Sequence, residues 1–181
     1  MPLTRTEWQW CSPGAECSGT EVIMNIENLS DSELIEVYFS SLREMKSREI
    51  IRTKNVVGEI GERLVIDHFN NNPNLPNLMA AEVGTQNVDA FSKKGERYSI
   101  KSISRDTTGV FYGLEPPGSE IPDEKVFEYL IICKFDQDYV LKNIYQLDWQ
   151  MFVKHKHWHS RMSAWNIVMS KKLIDDSKKI M

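Results

Sequence analysis

Asp89, Ser99 and Lys101 are the residues of this chain whose types and spacing come closest to a set that does chemistry. A carboxylate on a strand can hold a hard divalent cation such as magnesium, sharing it with waters and phosphate oxygens. A lysine on the same face can orient or deprotonate an attacking water, or offset the charge that builds on phosphorus in a transition state. Together they would support metal-assisted hydrolysis of a phosphodiester.

Such a trio needs a hairpin to align it. Val88-Asp89-Ala90-Phe91 reads as a short strand, Ser92-Lys93-Lys94-Gly95 as a turn, and Arg97 to Ile103 as a return strand of alternating polarity. A three-residue turn, Lys93 to Gly95, sets Asp89 opposite Ser99 and gathers Asp89, Ser99 and Lys101 on one face. A two-residue turn would send one strand's side chains to the other face. One carboxylate is thin for a cation, so a second acid must come from elsewhere. Val56 to Phe69 is the source: Val57, Ile60, Leu64 and Val65 follow a helical rhythm, and Glu59 and Glu62 lie three apart on one side. Gly58 and Gly61 each weaken an isolated helix by about 1 kcal/mol relative to alanine, which predicts close packing of this helix on another backbone.

The run Gly58-Glu59-Ile60-Gly61-Glu62-Arg63-Leu64-Val65, then Asp89, then Gly95 with Tyr98-Ser99-Ile100-Lys101-Ser102, resembles the PD-(D/E)xK nuclease superfamily, the restriction-endonuclease-like fold. The likeness covers roughly residues 53 to 135 in the order and type of elements. It implies an α/β fold with a mixed central sheet flanked by helices. It also implies a helix glutamate, a strand aspartate and a strand lysine around one or two magnesium ions, or manganese in their place. Carried over by position these are Glu62, Asp89 and Lys101, with Glu59 the alternative helix acid and the Ile100 carbonyl completing the metal shell. Ser99 is the departure, standing where the family has Glu, Asp or sometimes Gln. A hydroxyl is a far weaker metal ligand than a carboxylate, so two functions stay open. One is a magnesium-dependent endonuclease acting on DNA; the other is a catalytically inactive nuclease-fold module that binds DNA or a protein. An RNA substrate would use the same site, and a homodimer is compatible with either function.

Bulk properties fit one soluble domain. A chain of 181 residues suffices for one sizeable core. No apolar run approaches the roughly 20 residues of a membrane span, and no secretory signal layout opens the sequence. Cys11, Cys17 and Cys133 have no metal-ligand spacing, and the default compartment is a reducing cytoplasm. Residues 1–23 mix Pro, Gly, Ser and Trp without period and read as a flexible extension, which leaves 24–181 as a single nuclease-like α/β domain.

A net charge of −4 does not favour a nucleic-acid binder, since duplex affinity comes largely from Lys and Arg. The basic residues are nonetheless polarised toward the C-terminal third, at Lys154, Lys156, Arg161, Lys171, Lys172, Lys178 and Lys179, with Trp158 and Trp165 nearby, which read first as buried side chains and otherwise as a platform to stack a base. His155, His157 and His159 alternate without a cysteine or acid at a zinc interval, and read as solvated or phosphate-contacting.

The remaining elements follow from caps and periods. Ser30-Asp31-Ser32-Glu33 is a capping box opening a helix to about Lys46. Strands are expected at Met79 to Val83, Val88 to Phe91 and Arg97 to Ser104, with Thr108 to Tyr112 a continuation. Pro116, Pro117, Gly118 and Pro122 mark an irregular loop. Phe127 to Phe135 reads as a central buried strand, followed by Tyr139 to Ile144. Asp148 caps a short helix to Val153, Trp165 to Met169 forms an edge strand, and Ser170 starts a final helix.

Overall fold

The structure is a computed structural model and describes residues 26–53, 55–137 and 140–181. The extension expected over residues 1–23 lies outside the described residues. The chain divides into two units, Met1–Ser41 and Leu42–Met181. In the first, Ser30 caps α1 (Asp31–Ser47): its backbone N–H and hydroxyl both donate to Glu33 Oε2, at 2.9 and 2.6 Å.

The second unit is mixed α/β, with a six-stranded sheet flanked by helices. Its elements are α2 (Val56–Asn71), β1 (Leu78–Ala80), β2 (Ala90–Ser92), β3 (Arg97–Ile103), β4 (Tyr129–Phe135), β5 (Leu141–Asp148), α3 (Trp149–His155), β6 (Lys156–His159), β7 (Ala164–Ile167), α4 (Lys171–Asp176) and β8 (Lys178–Lys179). The sheet runs β1-β2-β3-β4-β5-β8, antiparallel throughout except for the parallel pair β3 and β4. Parallel neighbours need a crossover, here supplied by the long connection from residue 104 to 128.

The two sheet faces have separate cores. Leu130 and Ile132 of β4 point to one side, with Phe111, Phe127, Phe152 and Leu173. Ile131, Cys133 and Phe135 point to the other, where Val65 and Phe69 of α2 cover them. Full burial of each such side chain contributes about 1.5–3 kcal/mol, and β4, buried on both faces, is the central strand its continuous apolar run predicts.

Gly61 sets how closely α2 approaches. A Cβ there would stand 1.8 Å from Ser102 Oγ and 3.0 Å from Ser102 Cβ, so only glycine lets the helix backbone rest on β3.

Two expectations are corrected. Thr108 to Tyr112 is not a strand; only isolated bridges, Thr107 with Val168 and Phe111 with Trp165, tie that segment to β7 and its end. Trp165 to Met169 is not an edge of the main sheet, because β7 pairs with β6 in a separate two-stranded ribbon. The cause is local: α3, capped by Asp148, carries the chain off the sheet, and Ser163 in the left-handed conformation (φ 45°) turns it back on itself. The edge beyond β5 is instead β8.

Candidate functional site

The hairpin has the register that a three-residue turn requires, with Ala90 opposite Tyr98 and Phe91 opposite Arg97. Regular pairing then stops, because β2 begins only at Ala90. Asp89 is held there by main-chain bonds on both sides: its N–H donates to Tyr98 O at 2.8 Å, and its carbonyl accepts from Ala81 N–H at 2.9 Å. Beyond Tyr98, one side of β3 would be left with open backbone groups. The Asp89 carboxylate caps this notch, accepting the Ile100 N–H on Oδ2 at 2.6 Å.

The same oxygen takes the Ser99 hydroxyl at 3.3 Å and faces Lys101 Nζ at 3.7 Å. Asp89, Ser99 and Lys101 are thus brought together, as the alternation of a strand dictates. Ser99 is fully buried, so its hydroxyl is spent on Asp89. Lys101 lies 5.3 Å from the centroid of the Phe111 ring, whose quadrupole favours a cation at that range. Because N–H and C=O of one strand residue point to the same side, the Ile100 carbonyl also faces the notch.

Glu62 arrives from α2. It lines a cleft of about 380 Å³ with Asp89, Ile100, Lys101, Asn55 and Val110. Burial raises its carboxyl to about 7, and the nearby charges of Asp89 and Glu59 push the same way against Arg52 and Lys101. Glu59 has a different occupation. It is 7% exposed, and its Oε2 accepts the Arg52 N–H at 2.7 Å and lies 3.6 Å from Arg52 Nε. Burial alone would raise its carboxyl, but bonds from Thr53 and Arg52 outweigh that and hold it below the usual carboxylate range. A second cleft, of about 180 Å³, shares Glu62 and Asp89 with the first and is bounded by Arg52, Glu59 and Thr85.

The donor set suits a hard cation: two carboxylates of separate elements and a main-chain carbonyl, all oxygen. Among the described residues no group of three or more His, Cys, Asp or Glu side chains is arranged to hold a metal, so water and substrate oxygens would have to supply the rest of any shell.

Sequence reasoning missed Arg52, whose guanidinium also donates to Ala81 O at 3.0 Å and lies 3.8 Å from Glu62 Oε2. A lone arginine ahead of a helix carries no periodic signal. It also missed Val110 and Gly109 as a cleft wall.

The C-terminal basic strip is partly consumed by the fold. Lys154 pairs with Asp176 at 2.7 Å, and Lys156 pairs with Asp123 while lying 4.0 Å from the Trp165 ring centroid. His155 is not solvated as expected: it is 8% exposed, with Nε2 2.7 Å from Asp176 Oδ2, because α3 turns it inward toward α4. His157 is exposed, and His159 Nδ1 accepts from Met162 N–H. Trp158 and Trp165 pack edge to face, 5.2 Å apart, rather than standing open side by side. No helix of the described residues is long and apolar enough to cross a membrane.

Neither a protein-family model nor a curated protein matches the chain.

Proposed function

We propose that this chain is a metal-dependent endonuclease of restriction-endonuclease-like fold, hydrolysing DNA phosphodiester bonds with magnesium. The observation that carries the reading is the meeting of Glu62, Asp89 and Lys101 in one cleft, on the side of β3 that β2 leaves open. The mixed sheet flanked by helices supports it.

Glu62, Asp89 and the Ile100 carbonyl would hold the cation. Bound magnesium polarises a phosphoryl oxygen and makes a water more acidic. The Ile100 N–H and the Ser99 hydroxyl fix the Asp89 carboxylate, so it need not reorganise when substrate arrives. Lys101, held against Asp89 and Phe111, presents its ammonium to the cleft, where it orients the attacking water and offsets charge on the phosphoryl oxygens.

A second reading, an inactive nuclease-fold module binding DNA or a protein, is favoured by Ser99, which contributes no charge and has its hydroxyl engaged. Binding a DNA duplex in calcium and then exchanging to magnesium separates the two. The nuclease releases cut product on exchange, whereas the binding module holds intact DNA in both ions, and absence of DNA binding leaves a protein partner.

A further inference from the structure

We infer that Arg52 is a positioning residue that decides which helix glutamate serves the cation. The inference rests on the metal reading of the Glu62 and Asp89 cleft. Glu59 and Glu62 sit three residues apart on α2, on one side of the helix. Both border the smaller cleft together with Asp89. What distinguishes them is the number of donors each meets, Thr53 and Arg52 together on Glu59 against Arg52 alone on Glu62. Its backbone N–H and its Nε both address Glu59 Oε2, at 2.7 and 3.6 Å, while Nη2 lies at 3.8 Å from Glu62 Oε2.

The guanidinium is itself anchored, with Nη1 donating to Ala81 O at 3.0 Å. Ala81 in turn donates its N–H to the Asp89 carbonyl. One side chain therefore joins the start of α2 to the backbone that carries Asp89. The planar fork of arginine suits this task, since it has separate donors for a carboxylate and a carbonyl in fixed directions.

The consequence is a division of labour. Glu59 is neutralised and turned to structure, and a cation approaching it would have to displace a main-chain hydrogen bond and a paired guanidinium. Glu62 meets only the longer contact and faces the cleft that holds Asp89 and Lys101. Without the Arg52 guanidinium, Glu59 keeps its bonds from the main-chain N–H and Thr53 but loses its paired charge, and so gains freedom to share the cation.

Manganese binding to the full chain without DNA, followed by the electron paramagnetic resonance of free Mn²⁺, tests this independently of cleavage. With Arg52 present, Glu62→Gln weakens binding by about tenfold or more, while Glu59→Gln changes it by less than about twofold. In the Arg52→Gln background the cost of Glu62→Gln falls to less than about threefold and Glu59→Gln becomes costly, because the two acids now share the role. Arg52→Lys, which keeps the charge but not the fork, is read the same way should Arg52→Gln fail to fold, and raises the cost of Glu59→Gln above about twofold.

If Glu62→Gln costs the same factor with and without Arg52, the inference is overturned and the metal reading stands. If neither Glu62→Gln nor Asp89→Asn alters manganese binding in the otherwise unchanged protein, both fall together.

Discussion

The Ile100 N–H donates to Asp89 Oδ2 at 2.6 Å, so the carboxylate proposed to hold a cation also closes the backbone of β3 where β2 ends. Structure and chemistry therefore share one side chain, and substitutions there separate by what they leave behind. Asp89→Ala strands a buried N–H and costs about 1–3 kcal/mol of stability, whereas Asp89→Asn keeps an acceptor and costs less than about 1 kcal/mol. Both lose metal-dependent cleavage. Chemical denaturation beside an activity assay checks the pair; equal stability of the two variants would refute the capping role.

Gly61→Ala brings a methyl group into Ser102, with 1.8 Å to Oγ and 3.0 Å to Cβ. Rotating the hydroxyl relieves only the first contact, so the substitution destabilises by about 1–3 kcal/mol and lifts the helix that carries Glu62. Adding Ser102→Gly recovers most of the stability. A double-mutant cycle in denaturant measures this, and additive costs would contradict the contact.

Glu62 gives a pH dependence of known sign. Burial, with the charges of Asp89 and Glu59, makes its folded carboxyl titrate at about 7 against 4.5 for a glutamate in water, so between those limits the folded chain binds more protons than the unfolded one. Stability of the metal-free protein therefore declines as pH rises from about 4.5 to about 7 and levels above that. Glu62→Gln removes this decline. Thermal unfolding of the two proteins across that window checks it, and parallel curves would show that Glu62 does not titrate there.

The opposite sign belongs to Glu128. Side-chain hydrogen bonding from Arg97 is the main cause holding its carboxyl down to about 2, with the Arg97 N–H adding 2.7 Å contact to Oε2 and Nη2 meeting Oε1 at 3.0 Å. This contribution is present above about 4.5 and is lost as pH falls toward about 2. Glu128→Gln flattens the acid limb of stability over that range, measured by acid unfolding; an unchanged limb would assign it to other carboxylates.

Local rules made much of this fold readable. Ser30, Asp148 and Ser170 each start a helix with a side chain bonded to it, because capping is decided within a few residues. The apolar period made α2 readable, whereas the hairpin register hung on a turn of two or three residues that the sequence left open and the structure sets at three. What escaped was non-local. Arg52 meets Ala81 across 29 residues, and His155 meets Asp176 across 21, and no period announces such pairs. The ribbon of β6 and β7 escaped because the four residues of Ala164–Ile167 carry an apolar pattern equally suited to a sheet edge. In the candidate site, Glu62, Asp89, Ser99 and Lys101 were legible as types at a spacing, but the different surroundings of Glu59 and Glu62, the first bonded by Arg52 and the second lining the cleft with Asp89 and Lys101, came only with the folded chain.

Cleavage of plasmid, linear duplex and single-stranded DNA in magnesium or manganese, comparing the unaltered protein with Lys101→Ala and Asp89→Asn, decides whether this cleft is a nuclease site. A nuclease site gives cutting that chelation stops and that both substitutions reduce by about 100-fold or more. Undiminished cutting by Lys101→Ala and Asp89→Asn would contradict it, as would a protein that binds the cation at this cleft and cuts none of the substrates.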